Sequence, residues 1–303
     1  MKKARKYGIL AFVLLLAFSL VGCSAKGKEG AGTGDTVIIG GKNFTEQEIL
    51  VYLMAGVVEA KTDLKVETKP WLGGTMVASK ALDSGDLDIY AEYTGTALTV
   101  QLAQPPMTDP DGAYDKVSKM YKETKDITWL KPFGFNNTYT LTMRKSEAKK
   151  LGIETFSDLV KEAPNLTLAS EPEFLEREDG YKGVQKTYNL KFKDVKGMAA
   201  GLMYGAVKEG KADVCCAYAT DGRIVAFDLK VLKDDKHFFP PYYAAPIVRN
   251  DTLKKHPELA DALNSLAGKL DDTVMQQLNA KVDLDKKKSK DVADEWLKAQ
   301  GLI

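Results

Sequence analysis

Short apolar strands alternating with amphipathic helices predict an α/β fold for this chain. Three features of the sequence carry the prediction. Brief runs rich in Val, Ile, Tyr and Ala recur through the first five-sixths of the chain. Most of them run into Gly, Thr, Asn or Asp clusters that open helix-forming segments. From Asp251 to Leu302 the pattern is helical throughout. Strands joined through helices of this length pair mainly in parallel, because parallel neighbours need a long crossover.

The elements follow in order. Residues 37–40 form a short apolar run ending in Gly, a buried strand. Thr45, Glu46, Gln47 and Glu48 have the form of a capping box, and 49–60 continue as an apolar-periodic helix. Residues 65–71 are a second strand, and Gly73-Gly74-Thr75 opens a helix reaching 82. Residues 87–93 are a third strand, after which Thr94-Gly95-Thr96 starts another helix. Residues 113–124 are helical, and 127–132 and 138–144 are strands. Downstream come a helix over 157–162, a strand over 166–170, helices over 180–188 and 199–208, and strands over 214–218 and 243–248. In sheets of this kind ligands sit beyond the carboxyl ends of the strands, where loops feed helix N-termini. That directs attention to the loops 41–44, 72–75, 93–96, 171–180 and 218–222.

The chain has 303 residues and a formal net charge of +1, so it is long enough for one large domain or two lobes, with no bias toward nucleic acid. Its N-terminus carries Lys2, Lys3, Arg5 and Lys6, followed by an apolar run over 9–21. That run is shorter than the roughly 20 residues a membrane span requires and fits a signal-peptide core. It ends in Leu20-Val21-Gly22-Cys23, which resembles a bacterial lipobox. Residues 1–22 are therefore expected to be a lipoprotein signal peptide. Cys23 is then the lipidated residue, and 23–35, rich in Gly and Lys, a flexible tether.

No catalytic or metal constellation stands out. There is no phosphate-binding Gly-Lys-Ser/Thr loop, no His-Glu-x-x-His, no Gly-x-Ser-x-Gly and no Cys-x-x-Cys. Asp83, Asp86 and Asp88 lack the spacing of a calcium loop, and His237 and His256 are too few for most histidine sites. Cys215 and Cys216 are adjacent, which disfavours a disulfide, and they fall in a strand-like run, so buried free thiols are expected. No cofactor, metal or catalytic residue is expected. An anchored thiol enzyme is the remote alternative.

Several segments resemble the osmoprotectant-binding family, the ProX-type glycine betaine and proline betaine receptors and their carnitine/choline relatives. They are Gly41-Lys42-Asn43-Phe44-Thr45-Glu46-Gln47, Leu72-Gly73-Gly74-Thr75, Glu92-Tyr93-Thr94-Gly95-Thr96 and Gly134-Phe135-Asn136-Asn137-Thr138-Tyr139. Glu173 to Gly180, Ala217 to Arg223 and Phe239-Pro240-Pro241-Tyr242 complete the set, in the family's order across the mature chain. The resemblance implies a type II periplasmic-binding-protein fold, two α/β lobes joined by two crossovers around a ligand cleft. Lobe I would comprise residues 36–137 plus 245–303, and lobe II residues 138–244. It also implies a monomer on the extracellular face of a bacterial cytoplasmic membrane, delivering solute to an ABC permease and its ATPase.

The same resemblance assigns a site. Tyr93, Tyr139, Tyr218 and Tyr242 match a box for a quaternary ammonium group. Such a cation has no N–H to donate, so aromatic faces suit it, at about 0.5–2 kcal/mol each. Lys42, Thr96 and Arg177 match positions that hold the ligand's carboxylate, Arg177 by forking onto both oxygens as the lobes close. Both cations being present points to glycine betaine or proline betaine over choline, with carnitine and ergothioneine as alternatives. Asn137 departs from betaine receptors that carry Asp there.

Overall fold

Two five-stranded sheets organise the computed structural model, which describes residues 35–303. The expected leader, the lipidation residue Cys23 and all but the last residue of the expected tether lie outside the described residues. The first sheet begins with β1 (Thr36–Gly40), β2 (Lys65–Lys69), β3 (Ile89–Tyr93) and β4 (Ile127–Trp129). The second contains β5 (Tyr139–Arg144), β6 (Thr167–Ser170), β7 (Asp194–Gly197), β8 (Val214–Tyr218) and β9 (Leu229–Val231). The last strand, β10 (Ala244–Arg249), returns to the first sheet. The orders are β2-β1-β3-β10-β4 and β7-β6-β8-β5-β9. The two sheets are thus built on one plan, and each forms one lobe.

The sheets are mixed, where mainly parallel ones were expected. In the first, β1 is parallel to β2 and β3, but β10 runs antiparallel between β3 and β4. In the second, β6 is parallel to β7 and β8, while β5 is antiparallel to β8 and β9. The reason is topological. Only strands linked by a helical crossover within a lobe must run parallel. Strands β5 and β10 each arrive from the opposite lobe, so that constraint does not reach them.

Strands β7 and β9 were not expected. Both are short edge strands, and β7 (Asp-Val-Lys-Gly) is largely exposed. An edge strand need not be apolar on two faces, so it leaves no hydrophobic run to read.

The helix Thr45–Lys61 lies over the first sheet and buries Ile49, Leu50, Leu53, Met54, Val57 and Val58. Its expected capping box does not form. Phe44 is the N-cap and makes no side-chain cap bond. The Thr45 hydroxyl donates instead to Asp283 (2.7 Å), and Glu48 accepts from Ser289 (2.8 Å). Those partners come from the C-terminal helices Asp272–Asp283 and Ser289–Ala299, which pack on this helix and complete the lobe. Gly56 permits the close approach, since a Cβ there would meet Leu297 at 2.5 Å.

The two connections between the lobes run against each other. Asn136 and Tyr243 form an antiparallel bridge, Asn137 N–H donates to the Tyr242 carbonyl (3.1 Å), and Tyr242 N–H donates to Asn136 Oδ1 (2.7 Å). Cys215 and Cys216 sit in mid-β8 as buried free thiols, as expected. Burial pushes both thiols well up, which leaves them unreactive near neutral pH. Among the described residues no helix is long and apolar enough to cross a membrane.

Candidate functional site

The carboxyl ends of β1, β3, β6 and β8 open toward the gap between the lobes, as strand geometry requires. Each delivers side chains to one cavity. The turn after β1 supplies Lys42 and Phe44, the end of β3 supplies Tyr93, and the short helix that follows supplies Thr96. The first residue of β5 is Tyr139, the last of β8 is Tyr218, and the loop after β6 supplies Glu171, Glu173 and Arg177. Tyr242 comes from the second crossover. All seven side chains expected to contact ligand line this cavity.

The rings form a chain around it. Tyr139 lies 5.3 Å from Tyr218 and 5.5 Å from Tyr242, centroid to centroid. Phe44 stacks on Tyr218 at 5.5 Å with planes 5° apart, and joins it to Tyr93 at 6.3 Å. Phe44 is a fifth ring that the sequence reading did not assign. Gly95 makes room for Tyr242, since a Cβ there would stand 2.8 Å from that ring and from the Pro241 carbonyl.

Each phenol donates its hydrogen to a carboxylate. Tyr93 donates to Glu46 (2.7 Å), Tyr139 to Glu171 (3.1 Å), Tyr218 also to Glu171, and Tyr242 to Asp179 (2.8 Å). Burial, with those carboxylates adding to it, pushes all four phenols well up, so the rings stay neutral.

The two cations are already paired. Lys42 Nζ donates to Glu92 (2.6 Å) and to Thr75 Oγ1 (3.1 Å), leaving one of its three N–H bonds. Arg177 aims its two-pronged edge at Asp179, with Nε at 2.7 Å and Nη2 at 2.5 Å, rather than at the cavity as expected. It also donates to Thr96 Oγ1 and to Glu173, both at 3.2 Å. One of its five N–H bonds remains. Burial raises the Asp179 acid, but the Arg177 fork outweighs it and holds the group below the usual carboxylate range.

Two acids in the wall went unassigned in the sequence. Glu173 reaches from lobe II to accept from the Thr75 backbone N–H (3.2 Å), at the start of the helix Thr75–Ser84. Burial opposes its charge, yet Lys42, Thr75 and Arg177 together hold it below its ordinary value. Burial of Glu171 has the larger say and moves its acid up despite the two phenols. The strand-end rule pointed to the loop 171–180 that carries both, but a Glu in a chain with 28% charged residues reads as surface charge, so neither was given a role. Asn137 also lines the cavity, and its Nδ2 donates to Glu46 Oε1 (2.8 Å). An Asp at that position would face Glu46 with a second acid, which accounts for the amide here.

Comparison with known proteins matches residues 35–299 to the family model described as the substrate binding domain of ABC-type glycine betaine transport system. The chain is 42% identical over 297 residues to the carnitine transport binding protein OpuCC of Listeria monocytogenes, covering 97% of this chain and 96% of that one. It is 40% identical over 292 residues to the glycine-betaine-binding protein of Pseudomonas aeruginosa, covering 93% of each. A crystal structure titled as a glycine betaine/carnitine/choline ABC transporter superposes with a TM-score of 0.74 at 37% identity, over 89% of this chain and 99% of that one. This chain belongs to the family of substrate-binding domains of ABC-type glycine betaine transport systems, a transport component and not an enzyme.

Proposed function

We propose that this protein captures a small quaternary-ammonium solute, glycine betaine or proline betaine foremost, and hands it to an ABC permease driven by its ATPase. The observation that supports this reading most strongly is the convergence of Tyr93, Tyr139, Tyr218 and Tyr242 from both lobes and a crossover onto one cavity. A trimethylammonium group packs its methyls on those faces and its charge against the ring quadrupoles. The remaining N–H of Lys42 and that of Arg177, with the Thr96 hydroxyl, then hold the acid tail.

Lobe closure is the predicted working motion. Contacts that span the cleft include Arg177 to Thr96, Glu173 to Thr75 and Thr99 to Asp179 (2.8 Å). A ligand touching both walls binds the closed state better than the open one, and that difference drives closure. Glu173 already rests where an acid tail would go, so a zwitterion must displace its carboxylate from Thr75 and Arg177.

A second reading is choline, favoured by Glu171 and Glu173, which give the wall more acid than a zwitterion needs. Calorimetric titration with glycine betaine, proline betaine, carnitine, choline and ergothioneine decides. Glycine betaine or proline betaine binding tightest supports the first reading, choline the second, and no heat with any of them refutes both.

The protein is further proposed to be a monomer anchored outside the cell through a lipid on Cys23. Mass spectrometry of the mature N-terminus tests the anchor, since an unmodified Cys23 within an uncleaved leader would overturn it. Light scattering tests the monomer.

A further inference from the structure

Aromatic rings alone explain why a methylated cation fits, but they separate it only modestly from a neutral group of the same shape. A trimethylammonium and a tert-butyl group share size, methyl surface and geometry. Something else in the wall must read the charge if the box is to be selective.

The carboxylates behind the rings meet that need. All four box tyrosines give their hydroxyl hydrogen to Glu46, Glu171 or Asp179, and none gives it to a neutral side chain. Glu46 and Asp179 are 3% exposed. Among the described residues Glu46 has no cationic partner: its other donors are Thr220 Oγ1 (2.5 Å), Asn137 Nδ2 (2.8 Å) and Asn279 Nδ2 (3.3 Å). Among the same residues Glu171 takes its side-chain hydrogen bonds from Tyr139 and Tyr218 alone, and of the three acids only Asp179 is matched by a direct ion pair, to Arg177. A phenol hydrogen held by an anion shifts electron density toward the ring oxygen and the π face, strengthening the face toward a cation. The anions also act directly through a poorly screened interior.

We propose that Glu46, Glu171 and Asp179 are specificity-determining positioning residues: they bias the tyrosine box toward a full positive charge and against a neutral solute of identical shape. The inference rests on the reading that the box takes a quaternary ammonium group. It assigns these acids a role through the rings and requires no contact between them and the ligand.

The test is calorimetric titration of wild type, Glu171→Gln and Tyr218→Phe. The ligands are two pairs: glycine betaine with tert-butylacetate, whose tert-butyl head is the uncharged carbon isostere of the trimethylammonium group, and choline with the neutral tert-butylethanol. The glutamine keeps the Oε1 acceptor that both phenols share but removes the charge. The phenylalanine keeps the ring but removes a donor to Glu171, so either variant can carry the result if the other fails to fold. In whichever pair binds, affinity for the cationic member falls about tenfold in the variant, while affinity for the isostere stays within about twofold or rises. Equal losses for both members mean the acids only hold the rings in place, and unchanged affinity for the cation means they do nothing. Either result overturns this inference alone. Wild-type protein that binds neither cation overturns the underlying reading along with it.

Discussion

Replacing Arg177 by Met, Asp179 by Asn, and then both, measures the ion pair that the cleft is built around. Arg177 is 8% exposed and Asp179 3%, and two short bonds of 2.7 and 2.5 Å join them. In Arg177→Met the Asp179 carboxylate keeps only the hydroxyls of Thr99 and Tyr242, each at 2.8 Å. A buried acid stripped of its cation destabilises by about 3–5 kcal/mol. For a chain of this size that lowers the melting temperature by roughly 6–20 °C. Asp179→Asn costs less, about 1–3 kcal/mol, because Arg177 retains Glu173 and Thr96. The double variant leaves no carboxylate at 179 without its cation, so its loss falls short of the sum of the singles by at least about 2 kcal/mol. Denaturant unfolding of the three variants, without added solute, gives the three numbers. Losses that add to within about 0.5 kcal/mol would show that the two groups do not act as a pair, and the reasoning would fail.

Four further outcomes follow from the same geometry. Arg177→Ala weakens glycine betaine binding more than choline binding, because only betaine has an acid tail; equal losses would remove Arg177 from the carboxylate subsite. Glu173→Gln frees the position beside Thr75 and Arg177, so glycine betaine binds several-fold tighter and choline several-fold weaker; calorimetry showing both moving together would contradict the displacement. Tyr139→Ala or Tyr218→Ala weakens betaine binding at least about tenfold, each losing a face of the box, and a change below about twofold in both would discard the box. Glu46 titrates above the usual carboxylate range because it is buried, with hydrogen bonds from Thr220, Tyr93 and others only partly offsetting that. A carboxylic acid raised in the fold contributes stability at low pH and loses it as pH climbs through the raised value. The stability of wild type relative to Glu46→Gln therefore declines as pH rises through that raised value; unfolding curves showing a flat or growing difference would refute the assignment.

The lobe architecture and the cavity were legible to different degrees. Alternating runs such as 37–40, 49–60 and 87–93 located the buried strands and the helices between them, because burial on two faces requires an apolar run. The loops at 41–44, 93–96 and 218–222 were found by a rule about strand ends, and each lines the cavity. Edge strands β7 and β9 escaped, since an edge needs no such run. The box tyrosines came from a family likeness, as a single Tyr looks the same whether it packs a core or faces a ligand.

What the sequence determined by itself was local: which segments fold as helix or strand, that Cys215 and Cys216 are buried, and which family motifs are present. Only the tertiary structure decided who partners whom. Thr45 looks like a helix cap in the chain and bonds Asp283 in the fold. Arg177 looks like a hand for a ligand and grips Asp179. Glu46 looks like part of a capping box and Glu171 like surface charge, and both stand behind the phenols of Tyr93, Tyr139 and Tyr218. Helix and strand arise from neighbours a few residues apart, so a sequence window contains their cause. The partner of a buried polar group can lie anywhere along the chain, and only packing reveals which one burial has forced it to choose.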